Sequence, residues 1–271
     1  MTPWLELCRA AVGDLREVFA SMPTRNEREP VVGQGEGGDE TTAVDAAAEA
    51  AIVTRLAALH EEEGVNFHLV SEELGERTFG ASPEVRVVVD PIDGSLNAKR
   101  NIPYFSVSIA VAEGATMKDV VFGFVYDFGT GEEWIAERGK GARLNGEPLG
   151  AIGPKTDKIE VLALEATVAA SVAEKALAFA PLARRLRIMG SLALSLCSLA
   201  AGRVDAVCSL KEARAVDIAA AQLLLREVGL PIIFIDAGPF DEGPLDVAAR
   251  SPVAAAGTQE LCEQLAHILA T

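Results

Sequence analysis

The chain has 271 residues, 49% of them hydrophobic, and a formal net charge of −16. That length allows one large domain or two closely packed halves, and with no uninterrupted apolar run of about 18 residues no membrane-spanning helix is expected. So acidic a chain is a poor partner for nucleic acid or an anionic membrane surface, which need clustered Lys and Arg. The four cysteines, Cys8, Cys197, Cys208 and Cys262, show no C-x-x-C spacing, and none of the three histidines stands beside a cysteine. They read as buried free thiols and a zinc site is not expected, so any metal has to be held by oxygen. Arginine outnumbers lysine, a composition that suits a high-salt cytoplasm and an ordinary acidic protein equally.

Residues 3–21 mix apolar and polar positions at helical spacing, with Glu6 and Asp14 among them. They read as an amphipathic helix and not as a signal peptide, which makes a cytoplasmic protein the expectation. Residues 22–42 hold Pro23, Pro30, several glycines and acids, and little apolar content. Such a segment cannot offset its ordering entropy by burial, so a mobile loop is expected there, either an idle linker or a lid. A helix over 44–62 follows, then strands near 67–70, 85–89, 105–111, 120–126 and 132–137, and a turn at Asn145-Gly146. The second half predicts strands near 159–163, 184–188, 204–209 and 231–235, interleaved with helices near 169–180, 191–201, 216–228 and 258–270. Sheets interleaved with helices make this a mixed α/β or layered α+β protein. The expected division is 1–150 and 151–271, the second half closing the site.

The most informative segment is Val87-Val88-Val89-Asp90-Pro91-Ile92-Asp93-Gly94-Ser95. A buried-looking β run ends in an acid, Pro91 fixes one φ angle, and Gly94 permits a tight turn. Two carboxylates across such a corner, with the Ile92 carbonyl between them, suit a hard cation that wants oxygen ligands. The same residues also fit a turn whose acids cap the next helix. Ser71-Glu72-Glu73 places a second acid pair at a strand end, a pattern shared with solvated loops. Arg214-Ala215-Val216-Asp217 opens a very apolar helix, where a first-turn acid complements the helix dipole. Gly33-Gln34-Gly35 is not read as a nucleotide loop, because no convincing strand precedes it.

Taken together, Ser71-Glu72-Glu73, Asp90-Pro91-Ile92-Asp93-Gly94-Ser95 with Asn97, and Asp217 before Ile218-Ala219-Ala220-Ala221 resemble the inositol monophosphatase superfamily in order and spacing. Thr42-Ala43-Val44-Asp45, Pro103-Tyr104-Phe105-Ser106-Val107-Ser108 and Gly190-Ser191 extend the resemblance over nearly the whole chain. Gly38-Asp39-Glu40-Thr41 and Arg100-Asn101-Ile102-Pro103 are most similar to the archaeal branch, whose members resemble both inositol-1-phosphatases and fructose-1,6-bisphosphatases. Two departures stand out: Val216 where the family often has Trp, and Ser95 where it often has Thr.

The resemblance implies a layered α-β-α-β-α sandwich and a set of roles. Glu72, Asp90 and the Ile92 carbonyl hold one Mg²⁺; Asp90, Asp93 and Asp217 hold a second; a third, weaker ion sits near Glu72, and Mn²⁺ is an alternative metal. Such ions explain how so acidic a protein attracts a phosphate, and they make water reactive toward it. Ser95, assisted by Asp45, orients or deprotonates that water. Phosphate oxygens meet backbone N–H groups at the helix starts Gly94-Ser95 and Gly190-Ser191. Arg100, Arg187 and Arg214 are the candidate cations for a sugar hydroxyl or a second phosphate. Residues 22–42 become a lid whose acids Glu36, Asp39 and Glu40 help bind the weaker ion, so that deleting 33–40 lowers turnover more than stability.

The implied function is Mg²⁺-dependent hydrolysis of fructose-1,6-bisphosphate, inositol-1-phosphate or both, by a homodimer. The alternatives are another phosphatase of the superfamily, such as one acting on 3′-phosphoadenosine compounds, and a non-catalytic regulatory binding protein on the same fold.

Overall fold

The computed structural model describes residues 3–36, 38, 40–81, 83–150, 159–165, 168–235 and 237–270. Helix α1 (Pro3–Ser21) buries Leu7, Cys8, Ala11, Val12 and Leu15 along one stripe, the face its periodicity demands. The one-turn helix α2 (Arg25–Arg28) and an antiparallel hairpin, β1 (Val31–Gln34) with β2 (Glu40–Thr42), occupy the segment expected to be a loop. That expectation is corrected: the segment is pinned at both ends. Arg28 is buried, donating to the carbonyls of Met22, Phe19 and Ala98, and the Glu36 N–H donates to the Glu73 carbonyl at 3.1 Å. Gly33 lies in β1 of this hairpin, not in a strand–turn–helix unit, so the nucleotide-loop reading stays excluded. Helix α3 (Ala43–Glu63) then begins at Thr42, whose N–H and hydroxyl both donate to Asp45, a capping box.

Next come β3 (Phe67–Ser71), β4 (Gly75–Phe79), β5 (Val85–Asp93), the short helix α4 (Ser95–Lys99), β6 (Ser106–Glu113), β7 (Val120–Asp127), β8 (Glu133–Glu137), β9 (Gly141–Leu144) and β10 (Glu147–Pro148). These strands form one sheet in the order β10-β9-β8-β7-β6-β5-β3-β4. Only β3 and β5 run parallel in it, with Ser71 level with Val89. The Asn145-Gly146 turn has φ of 51° and 85°, the left-handed pair a tight hairpin requires. Strand β5 runs four residues beyond the predicted end. Its pairing with β6 shifts between Asp90 and Asp93, and such a bulge accommodates Pro91, which has no N–H to give the ladder.

The second half contributes β11 (Ile159–Glu165), α5 (Ala169–Phe179), β12 (Ala183–Arg187), α6 (Leu192–Ala200), β13 (Ala206–Ser209), α7 (Ala215–Glu227), β14 (Ile232–Phe234), β15 (Val253–Ala256) and α8 (Gln259–Ala270). Its sheet has the order β12-β11-β13-β15-β14, with β11 parallel to both neighbours. The boundary expected at residue 151 falls at 151–158, outside the described residues.

The molecule is layered. Helices α1 and α3 cover one face of the large sheet; α6 and α7 lie between the two sheets; α5 and α8 close the far side. Helix α7 is buried from Ala215 to Leu225, because it is apolar on every side and serves two sheets at once. Gly123 of β7 makes the approach possible: a Cβ there would lie 2.6 Å from the Ala220 carbonyl oxygen of α7. Among the described residues, no helix is long and apolar enough to cross a membrane.

Candidate active site

Topology brings the acids together. Because β3 and β5 are parallel and Ser71 is level with Val89, the next residues, Glu72 and Asp90, emerge side by side at the same sheet end. The bulge after Asp90 turns Asp93 toward the same space, and α7 delivers Asp217 from its first turn. Glu72, Asp90, Asp93 and Asp217 all line one cavity of about 460 Å³, together with Ile92, Gly94, Ser95 and Asp45. Asp90 is 1% exposed, and its carboxylate accepts the Ile92 N–H at 2.9 Å. Gly94 has φ 97°, and a Cβ there would meet the Gly190 carbonyl oxygen at 3.0 Å, so only glycine suits this corner.

The electrostatics are those of crowded negative charge. Burial first, and then the carboxylates of Glu72, Asp93 and Asp217, push the Asp90 carboxyl well above the usual range. Burial lifts Asp93 to about 7, against the hydrogen bond from Ser191. Glu72 is also raised by burial, although Arg214 opposes it. Burial disfavours the Arg214 guanidinium, yet the surrounding Asp217, Glu72 and Asp90 carboxylates more than offset that and hold it charged.

Asp45 is 4% exposed. Its Oδ2 accepts from Thr42 and lies 3.7 Å from the Lys99 ammonium, while its buried Oδ1 has no hydrogen-bond partner among the described residues. Ser95 Oγ donates to the Ile92 carbonyl at 3.0 Å, not to Asp45. Asp217 accepts the Arg214 N–H at 2.6 Å, and Val216 before it is 1% exposed.

A sequence model described as the inositol monophosphatase family matches residues 3–271. This chain belongs to the inositol monophosphatase family. A fructose-1,6-bisphosphatase/inositol-1-monophosphatase of Methanothermobacter thermautotrophicus is 35% identical over 249 residues, covering 88% of this chain and 86% of the relative. A Nus factor SuhB of Salmonella typhimurium is also 35% identical, over 70% of each chain. A solved inositol monophosphatase–fructose 1,6-bisphosphatase superposes with TM-score 0.82 at 28% identity, covering 98% of this chain and 100% of the other. The chain is thus a phosphoric monoester hydrolase by family.

Within this family member, Asp45, Glu72, Asp90, Asp93 and Asp217 share one cavity, but of the three predicted cations only Arg214 lines it. Arg100 is exposed and faces Glu29 at 4.0 Å; Arg187 is exposed on β12, donating to the neighbouring Leu186 carbonyl. Neither lines the cavity; the basic residues that do are Lys99, Lys211 and Arg214. The Gly190-Ser191 helix start is likewise occupied by protein acids. Gly190 N–H donates to Glu165 at 2.8 Å, Ser191 Oγ and the Ala193 N–H donate to Asp93, and the Leu192 N–H reaches Asp93 Oδ1 at 3.3 Å. Asp93 thereby fastens the small-sheet half to the β5 corner.

Of the expected lid acids, Glu40 lines the cavity, Glu36 is held over Glu73 through its backbone, and Asp39 lies outside the described residues. Sequence reasoning missed Lys99 and Glu165. Lys99 stands four residues after Ser95 on one helix face, a spacing that could have exposed it. Glu165 ends a strand of a parallel pair, the end at which α/β proteins gather ligands.

Proposed function

We propose that this protein is a Mg²⁺-dependent phosphomonoesterase acting on fructose-1,6-bisphosphate, inositol-1-phosphate or both. The observation that carries the reading is the meeting of Glu72, Asp90, Asp93 and Asp217 with Ile92 around one cavity. That donor set fits Mg²⁺ or Mn²⁺ in chemistry: it is all oxygen, with no soft ligand. It also carries more negative charge than one guanidinium balances, which is why burial and repulsion lift the Asp90 carboxyl so far. Among the described residues, no three acids are drawn in tightly enough to hold an ion, and Arg214 bridges Glu72 and Asp217 instead. Glu72, Asp90 and Ile92 would hold one ion, and Asp90, Asp93 and Asp217 another.

Bound divalent ions supply positive charge for the phosphoryl oxygens and activation of water. The chain's own residues supply the rest. Ser95 presents its hydroxyl at the cavity wall, and Asp45, one of whose oxygens has no partner among the described residues, would take a proton. Lys99 steadies Asp45 and offers a cation toward the phosphate. A homodimer belongs to the same reading, in keeping with the exposed Leu96, Ile102, Ile188 and Met189 around the Asn97–Met189 hydrogen bond.

The test is phosphate release from fructose-1,6-bisphosphate, inositol-1-phosphate and a 3′-phosphoadenosine compound, with Mg²⁺ and with EDTA. Turnover of the first or second that EDTA abolishes is the expected result; preference for the third would move the substrate. Intact metal binding without turnover of any ester would favour a regulatory binding role.

A further inference from the structure

Arg214 is the most deeply buried cation of the cavity. It is 2% exposed, in a position where an unpaired guanidinium would be strongly unfavourable. Its Nη2 donates to Glu72 Oε1 and lies 3.3 Å from Asp217 Oδ1; its Nε lies 3.4 Å from Asp217 Oδ2. Both oxygens of Asp217 are therefore engaged by one residue, Oδ2 also accepting the Arg214 backbone N–H. These are the two carboxylates that the proposed function needs from opposite sides of the site, one at the end of β3 and one on α7. The guanidinium occupies the place of shared positive charge between them.

Resting on that reading, we propose that Arg214 is the resident counter-ion of the cavity, which a divalent cation must displace from Glu72 and Asp217 in order to bind. A guanidinium and a metal ion ask different things of the same oxygens. The guanidinium forks across the plane of a carboxylate, whereas Mg²⁺ takes lone pairs at about 2.0–2.1 Å in octahedral array. Two cations competing for one pair of acids are coupled negatively, so Arg214 lowers metal affinity and confers stability on the metal-free protein. Once displaced, the side chain remains on the cavity wall beside Lys211 and Glu212, where it can face a phosphoryl oxygen. Substrate affinity then depends on metal having bound first.

The experiment is Mn²⁺ binding without substrate, followed by electron paramagnetic resonance or calorimetry, for the full chain and for Arg214→Met and Arg214→Lys. Arg214→Met is expected to bind Mn²⁺ at least about fivefold more tightly, the low end of typical coupling between two ligands. Arg214→Lys, which keeps the charge but not the fork, should fall between the two. In EDTA the Arg214→Met melting temperature should fall, and saturating Mg²⁺ should restore most of the loss. On the unmutated protein, ¹⁵N-arginine spectra should show a protected guanidinium in EDTA that loses protection as Mg²⁺ is added; this readout stands even if Arg214→Met fails to fold. Equal or weaker Mn²⁺ binding by Arg214→Met, or a guanidinium unchanged by Mg²⁺, would overturn the counter-ion role while leaving the metal site in place. Failure of the unmutated chain to bind Mn²⁺ would sink the proposed function with it.

Discussion

Replacing Glu49 by Gln removes one buried negative charge while keeping the shape of the side chain. Glu49 sits on α3 at 7% exposure, accepting from Ser71 Oγ at 2.9 Å and from the Glu73 N–H at 3.4 Å, while its other oxygen is buried without a partner among the described residues. Burial lifts its carboxyl from 4.5 to about 7. An acid raised on folding holds an extra proton in the folded state between those two values, so stability falls as pH rises through that window. At about 1.36 kcal/mol per pH unit, the full penalty above neutrality is about 3 kcal/mol. The neutral Glu49→Gln escapes it. Its stability relative to the parent should therefore improve by about 2–3 kcal/mol between about pH 5 and pH 8. Any cost of seating the amide NH₂ beside the partnerless position is present at both pH values and cancels in that difference. The assay is urea denaturation in EDTA at the two pH values. A gap between variant and parent that stays constant with pH, or narrows as pH rises, refutes the reasoning.

Asp90→Asn should remove at least ~10³-fold of the Mg²⁺-dependent phosphatase rate, yet raise the metal-free melting temperature, because burial and the neighbouring carboxylates disfavour ionisation of this carboxyl and a neutral amide escapes that cost. Phosphate release and thermal melts in EDTA check the two halves separately. Lys99→Met should cost roughly 10–100-fold in kcat/KM, the worth of a charge-assisted hydrogen bond, and steady-state kinetics should show the loss mainly in KM. Gly94→Ala should destabilise by about 1–3 kcal/mol, because its φ of 97° and the Gly190 oxygen 3.0 Å from the new Cβ leave no relaxed position; denaturant melts measure it directly.

The legible parts of the sequence were those where local pattern and tertiary demand agree. Val87-Val88-Val89 running into Asp90-Pro91 announces a buried strand ending in a rigid corner, and the structure extends it through Asp93. The helices α1, α3 and α5 to α8 lie within a residue or two of the predicted spans. Strands β4, β9 and β10 were missed because they are short or solvated: Glu76, Arg77 and Thr78 of β4 are all exposed. Strand β15, Val253-Ala254-Ala255-Ala256, is fully buried, but its alanines carry no β-branched signal. Arg100 and Arg187 lie away from the cavity for a different reason. Nothing local says that Arg100 turns to Glu29 while Arg214 turns inward to Glu72, 142 residues away in sequence; charge pairing across the fold decides both.

The close passage of α7 over β7 couples remote packing to chemistry. A methyl group at position 123 would press on the Ala220 carbonyl from 2.6 Å, and the helix would have to back off by several tenths of an ångström. Asp217 sits one turn upstream on the same rigid rod, so it would travel too, widening the span that the proposed function asks carboxylates from sheet and helix to close on an ion. Under the proposed function the grip on metal is therefore set partly from β7, a strand of that sheet that carries none of the proposed ligands, and small changes of volume along the Gly123–Ala220 seam offer a way to retune the catalyst without altering one group in its cavity.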